Sequence, residues 1–283
     1  MEDGFKTVSI IGVGLIGGSL ALALKEKSLA DKIIGYGRNE ERLKKALKLG
    51  IIDTYTDSLK EACEAELIVL ATPLGVFEKI TSEMVSYLKR GTVITDVGSV
   101  KEEVVNKLER LMPQGVYFVG THPIAGSDRT GFEHAKAHLF EGSKVVITPT
   151  EKTDKSALER IAKLWTKTGA QVEFMTPSEH DRIYALVSHL PHLVSFCLVN
   201  TVAEMDKNLI KYAGSGFKDT TRIAKSSPEL WADIFAMNDK NVLHCLEIFT
   251  KKLEEVKQML YRKELERVKK FIEEAKNLRQ ELD

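Results

Sequence analysis

His122 is the residue of this sequence best suited to proton chemistry. It stands in the run Gly120-Thr121-His122-Pro123-Ile124-Ala125-Gly126-Ser127, directly after the apolar Tyr117-Phe118-Val119. A histidine at the C-terminal end of a strand can take the proton of a substrate hydroxyl as hydride leaves the same carbon for a bound acceptor. Ser99 is small enough to hydrogen-bond His122 or a carboxamide, and Gly98 before it would let a ring come close. A loop histidine bonded only to backbone is the plainer alternative for His122.

Two further clusters lie in the second half of the chain. In Ser188-His189-Leu190-Pro191-His192 the histidines are three apart, so a helix would turn both to one side. Pro191 predicts a helix start near Leu190, with His189 just before it. No third ligand stands at metal spacing, so no metal site is expected. In Gly214-Ser215-Gly216-Phe217-Lys218-Asp219-Thr220-Thr221-Arg222 the glycines followed by Lys218 and Arg222 point to an anion site on a tight loop. A basic helix cap is the alternative.

A hydride acceptor needs a cradle, and the sequence carries one near its start. The β-branched run Val8 to Ile11 enters Gly12-Val13-Gly14-Leu15-Ile16-Gly17, and an alanine- and leucine-rich stretch leaves it. That is strand, tight turn and helix with Gly-x-Gly-x-x-Gly spacing. Gly12 would make the turn, Gly14 would let backbone approach a pyrophosphate, and Gly17 would let the helix pack close. The N–H groups of the first helical turn, at Leu15 and Ile16, would meet the phosphates. The next strand, 32–36, ends in Gly37-Arg38-Asn39 with no acid. An acid there would accept from a ribose 2′-hydroxyl and favour NAD; Arg38 leans toward the 2′-phosphate of NADP. Either NAD or NADP is expected as cofactor. Thr72-Pro73 follows a fully apolar strand, 67–71, beside the same crevice.

Strands at 92–96 and 117–119, with helices at 40–49 and about 75–88 between the earlier strands, complete a doubly wound, mostly parallel α/β sheet. Strands 144–148 and 171–174, joined by a helix over 154–168, would extend it. After Thr176-Pro177 strand patterns stop. Helices are expected at 178–205, 208–213, 228–250 and 251–280. Leu246, Phe249, Leu253, Val256 and Leu260 form a heptad-like seam that resumes in shifted phase at Leu265, Val268, Ile272 and Ala275 after a break near 261–264. The expected domains are 1–176, dinucleotide-binding, and 177–283, helical. The second is small for a core of its own, which predicts a homodimer through the C-terminal helices.

Lys plus Arg and Asp plus Glu number 41 each, so the chain shows no electrostatic footprint for nucleic acid. No stretch reads as a signal peptide or membrane span. The three cysteines lack metal spacing and read as reduced thiols of a cytoplasmic protein.

Together these stretches resemble the prephenate dehydrogenase family, which includes arogenate and cyclohexadienyl dehydrogenases. The matching runs are 11–19, Asp96-Val97-Gly98-Ser99-Val100-Lys101, 120–127, 188–192 and Gly216 to Ala224, then Pro228 and Trp231. The resemblance implies a Rossmann domain, a helical dimerisation domain and an active site between them. It implies oxidative decarboxylation of prephenate to 4-hydroxyphenylpyruvate in tyrosine biosynthesis, with His122 as hydrogen-bond acceptor and Ser99 orienting it and the nicotinamide. It makes Arg222 the main substrate ligand, paired with Asp219. His192 and Ser188 become substrate contacts, Trp231 a pocket wall, and His189 the weaker of the two histidines. NAD-using members place an acid where this chain has Gly37-Arg38. Arogenate as substrate, or a non-catalytic nucleotide-sensing protein, are the alternatives.

Overall fold

The computed structural model describes residues 4–126, 129 and 131–281, so Ser127 lies outside the described residues. The first part of the chain is β1 (Phe5–Ile11), α1 (Leu15–Glu26), β2 (Ala30–Tyr36), α2 (Glu40–Lys48), β3 (Thr54–Thr56), α3 (Leu59–Ala62), β4 (Leu67–Leu70), α4 (Phe77–Met84), β5 (Val93–Asp96), α5 (Glu102–Leu111) and β6 (Tyr117–Val119). The six strands form one parallel sheet in the order β3-β2-β1-β4-β5-β6. The order reverses at β1, which opens a crevice beyond the ends of β1 and β4. Both faces are covered, and the strands show it. Leu67 and Val69 enter one buried cluster with Leu20, Leu24 and Trp165; Ile68 and Leu70 enter the other with Phe77, Val105 and Trp231. Each such aliphatic side chain contributes about 1.5–3 kcal/mol when buried.

The sheet does not extend as the sequence predicts. β7 (Thr121–Pro123), β8 (Lys144–Ile147) and β9 (Gln171–Phe174), with α6 (Lys155–Lys167) between the last two, make a separate three-stranded sheet. His122 therefore sits not at the end of β6 but within β7, paired antiparallel with Val146. Gly120 separates the two strands; a Cβ there would lie 2.7 Å from Thr148 Oγ1 and from Val105 Cγ2. β3 and α3 are too short and polar to stand out in the sequence.

A capping box at Thr176 and Glu179 starts α7 (Pro177–Tyr184). The helix does not begin afresh at Leu190, because a π turn over Ala185–His189 joins α7 to α8 (Leu190–Asp206). The wider turn accommodates the N–H that Pro191 lacks. α9 (Ser215–Thr220) makes the 214–222 segment helical rather than a tight loop. α10 (Pro228–Met237) ends at Asn238, whose side chain donates to the Asp181 carbonyl at 2.8 Å. The expected 228–250 helix is therefore broken there.

The helical run Pro177–Tyr212 is long and apolar enough to cross a membrane, with mean hydropathy 1.4 in its most apolar window and 17% of that window buried. No Asp, Glu, Lys or Arg occurs between Arg182 and Glu204, which corrects the reading that no stretch reaches this length.

The chain packs as two compact units, Met1–Asn238 and Asp239–Asp283. The second holds α11 (Asp239–Tyr261) and α12 (Leu265–Gln280), joined by a short turn in which Lys263 takes φ 55°. The turn falls at the break in the apolar seam. Leu253, Leu260, Leu265 and Ile272 of that seam are exposed.

Candidate active site

Gly12 closes β1 with φ +99°, and a Cβ on it would lie 2.8 Å from the Ala71 carbonyl carbon. A Cβ at Gly17 would lie 2.5 Å from the Gly12 oxygen, so glycine is what lets α1 pack onto β1. A Cβ at Gly14 would meet nothing within 4 Å, so that face of the loop is open. Hydrogen bonding within α1 starts with the Gly18 N–H donating to the Gly14 carbonyl at 2.9 Å. The N–H groups of Leu15, Ile16 and Gly17 thus have no intrahelical acceptor. An open loop face and free donors at a helix N-terminus fit a pyrophosphate. A cavity of about 250 Å³ beside them is lined by Gly12, Tyr36, Gly37, Arg38, Thr72, Pro73 and Lys79, among others. Of the expected cofactor residues, Gly12, Arg38, Thr72 and Pro73 line this cavity, and two others have a second part to play. Ile16 packs its side chain against the core, so only its backbone is offered. Gly98 is demanded by protein packing as well: a Cβ would lie 2.5 Å from Leu74 Cδ2, and its N–H donates to Asp96 Oδ2 at 2.8 Å.

β7 is pinned to the end of β5 by a buried ion pair. Lys101 Nζ donates to Asp96 Oδ2 and, at 2.8 Å, to the Thr121 carbonyl. Asp96 Oδ1 accepts the Thr121 N–H at 3.1 Å. Burial pushes Asp96 up and Lys101 down, and each is held in check by the other's charge. The neighbouring His122 does not bond Ser99. Its Nδ1 lies 2.8 Å from His180 Nε2, and His180 Nδ1 lies 2.7 Å from Asp181 Oδ1. The other nitrogen of His122, Nε2, makes no hydrogen bond among the described residues. Asp181 also accepts the N–H groups of Lys101 and Glu102, at 2.7 and 2.8 Å, from the start of α5. His180 and Asp181 were not expected: they stand 58 and 59 positions from His122, inside an ordinary amphipathic helix pattern.

The two expected histidines do share a side, and they frame Trp231. The His192 ring stacks on the indole at 3.8 Å between centroids, and His189 meets it edge-on at 5.9 Å. His192 Nδ1 bonds the Ser188 carbonyl at 2.9 Å. His189 is buried; its Nδ1 lies 3.2 Å from the Asn238 amide, and its ring also bonds the Ser99 carbonyl. His189 thus joins the helical segment to the Ser99 backbone and to Asn238. Arg222 is exposed, and its charge is felt at His192. Lys218 and Asp219 are exposed on α9, and no ion pair joins Asp219 to Arg222 among the described residues.

Burial lowers all four imidazoles. His180 falls to about 2 and His189 to about 4, while His122 falls well below the usual range with help from His180, Lys101 and His189. His192 falls too, with Arg222 adding to burial. Below about pH 6.5 the unfolded chain binds protons at these rings that the folded chain refuses. Stability therefore rises with pH up to about that value and is lost on acidification, by up to ~1.4 kcal/mol per pH unit per ring. Thermal melts should show Tm falling from pH 7 to pH 5. A Tm that rises over that interval would contradict the burial of neutral rings.

The model of the prephenate dehydrogenase nucleotide-binding domain matches residues 20–174, and that of the prephenate dehydrogenase dimerization domain matches 176–280. The chain belongs to the prephenate dehydrogenase family. It is 36% identical to prephenate dehydrogenase of Bacillus subtilis (strain 168), over 96% of this chain and 75% of that protein. It is 33% identical to cyclohexadienyl dehydrogenase of Zymomonas mobilis, over 89% of this chain and 88% of that one. The crystal structure of prephenate dehydrogenase from Aquifex aeolicus in complex with hydroxyphenyl propionate and NAD+ superimposes with a TM-score of 0.93 at 41% identity, covering 98% of each chain. Within the prephenate dehydrogenase family fold, this chain places Arg38 and Lys79 together on the crevice where the second strand ends.

Proposed function

We propose that the chain oxidises prephenate to 4-hydroxyphenylpyruvate with loss of CO₂, using residues 1–176 for the dinucleotide and 177–283 for substrate and dimerisation. One observation carries the reading: among the described residues His122 Nε2 makes no hydrogen bond, while its other nitrogen is held by His180. With its pyrophosphate held at the glycine loop, an oxidised dinucleotide would supply the hydride acceptor. His122 Nε2 takes the hydroxyl proton as hydride leaves the carbon that bears it. The ring carboxylate departs as CO₂, its bonding pair completes the aromatic ring, and the oxygen recovers its proton as a phenol. Ser99, whose carbonyl meets the His189 ring, would offer its hydroxyl to the nicotinamide carboxamide. Arg222, Lys218, His192 and Ser188 receive the carboxylates, and Trp231 backs the His192 ring.

Arg222→Ala should raise KM for the keto acid by about 10- to 150-fold, the worth of a charged hydrogen bond of ~1.5–3 kcal/mol, with cofactor KM unchanged. Steady-state kinetics check it, and an unmoved substrate KM would place the anion site elsewhere.

Arogenate is the second reading, supported by the likeness to a cyclohexadienyl dehydrogenase. Arg38 and Lys79 favour NADP as partner of the crevice, with NAD the alternative. The exposed apolar stripe of α11 and α12 and the match to a dimerization domain support a homodimer. Its three free cysteines fit a cytoplasmic location. The test is formation of reduced nicotinamide, followed by absorbance, with prephenate and arogenate each offered with NAD and NADP. Turnover of neither substrate would end the reading.

A further inference from the structure

Which nitrogen of His122 carries the proton decides whether it can act as a base. The answer lies in the two side chains behind it. Asp181 accepts from Lys101 N at 2.7 Å, Glu102 N at 2.8 Å and His180 Nδ1 at 2.7 Å. Two of those donors are backbone N–H groups, which cannot do otherwise than donate, and they sit at the start of α5, where negative charge is favoured. Asp181 is therefore an acceptor, so His180 must carry its proton on Nδ1. A neutral imidazole with Nδ1–H has only a lone pair on Nε2. His180 Nε2 points at His122 Nδ1 across 2.8 Å, so it must accept, and His122 must donate from Nδ1.

We infer that His180 and Asp181 are positioning residues that lock His122 as the Nδ1–H tautomer, so that Nε2 always presents its lone pair to the substrate. The inference rests on the proposed role of His122. The order of proton positions runs Asp181 carboxylate, His180 Nδ1–H, His122 Nδ1–H, open His122 Nε2. When Nε2 takes the substrate proton, His122 becomes an imidazolium that still donates to His180. No proton passes on to His180 or Asp181, and the same proton returns to the oxygen as the ring aromatises. The other groups facing the two rings are consistent with this arrangement. Tyr184 packs against both rings, at 5.1 Å from His122 and 4.5 Å from His180 between centroids. Lys101 bears on the rings through its charge, without a hydrogen bond to either. Lys101 is occupied with Asp96 and Thr121, and His189 with Asn238 and Ser99.

The direct test is ¹⁵N NMR of the histidine-labelled whole enzyme at neutral pH, using long-range proton–nitrogen correlations and His122→Asn for assignment. The expected result is Nδ1–H on both His122 and His180; Nε2–H on His122 overturns the inference. Kinetics supply the second readout. His180→Leu removes the acceptor and should lower kcat by on the order of 10²-fold with cofactor Kd unchanged. His180→Gln keeps an acceptor oxygen near the place of Nε2 and should recover most of that loss. Full kcat in His180→Leu, or equal loss in both variants with melting temperatures preserved, overturns it. If His180→Leu does not fold, the NMR result and the glutamine variant still decide. An active His122→Asn enzyme would instead overturn the role of His122, leaving the tautomer measurement to stand by itself.

Discussion

Replacing His122 by Asn should lower kcat by about 10²–10⁴-fold while dinucleotide affinity survives. The asparagine fills much of the ring's volume and can still donate to His180, so β7 keeps its place. What it loses is the lone pair of Nε2, and with it the acceptor for the substrate hydroxyl. The glycine loop and the crevice of Arg38 and Thr72 do not include the ring, so binding of the dinucleotide has no reason to change. Steady-state kinetics together with calorimetric titration of the dinucleotide check both halves. Unchanged kcat removes His122 from the chemistry; lost dinucleotide binding would mean that the residue supports the fold instead.

Lys101→Met should destabilise the chain by about 3–5 kcal/mol, the usual cost of leaving one half of a buried ion pair alone. Lys101 and Asp96 are both fully buried. Without the ammonium, Asp96 keeps only the N–H groups of Gly98 and Thr121, and the Thr121 carbonyl loses a donor. Replacing the surface lysine Lys107, which pairs with Glu78 and Glu103 in solvent, should cost less than about 1 kcal/mol by comparison. Denaturant midpoints at constant slope measure both. Equal midpoints for Lys101→Met and the natural sequence would show that the pair is not what holds β7 against β5.

The parts of this site that can be read from the sequence are those whose constraint is local. Gly12, Gly14 and Gly17 answer needs of one turn and one helix start, and the apolar run Leu67 to Leu70 announces a buried strand by composition alone. His122 stands out because a short strand precedes it. Its supports do not. His180 and Asp181 reach it from a helix more than fifty residues further on, and nothing in their own neighbourhood distinguishes them from solvated helix positions. The small three-stranded sheet is hidden for a similar reason: β7 is three residues long, and its partner β8 begins about twenty residues further on. Pro191 reads as a helix boundary by its missing N–H, yet a π turn absorbs that defect and keeps His189 in the helix. Asn238 ends α10 through the Asp181 carbonyl, a tertiary bond that helix propensity cannot anticipate.

The most direct test is a crystal structure of the enzyme with NAD+ or NADP+ and a 4-hydroxyphenyl acid bound together. His122 Nε2 should lie at hydrogen-bond distance, about 2.6–3.2 Å, from the phenol oxygen. The nicotinamide ring should lie against the carbon bearing that oxygen, with Arg222 at a carboxylate. A ring oxygen held by some other side chain, with His122 turned away from the coenzyme, would contradict it.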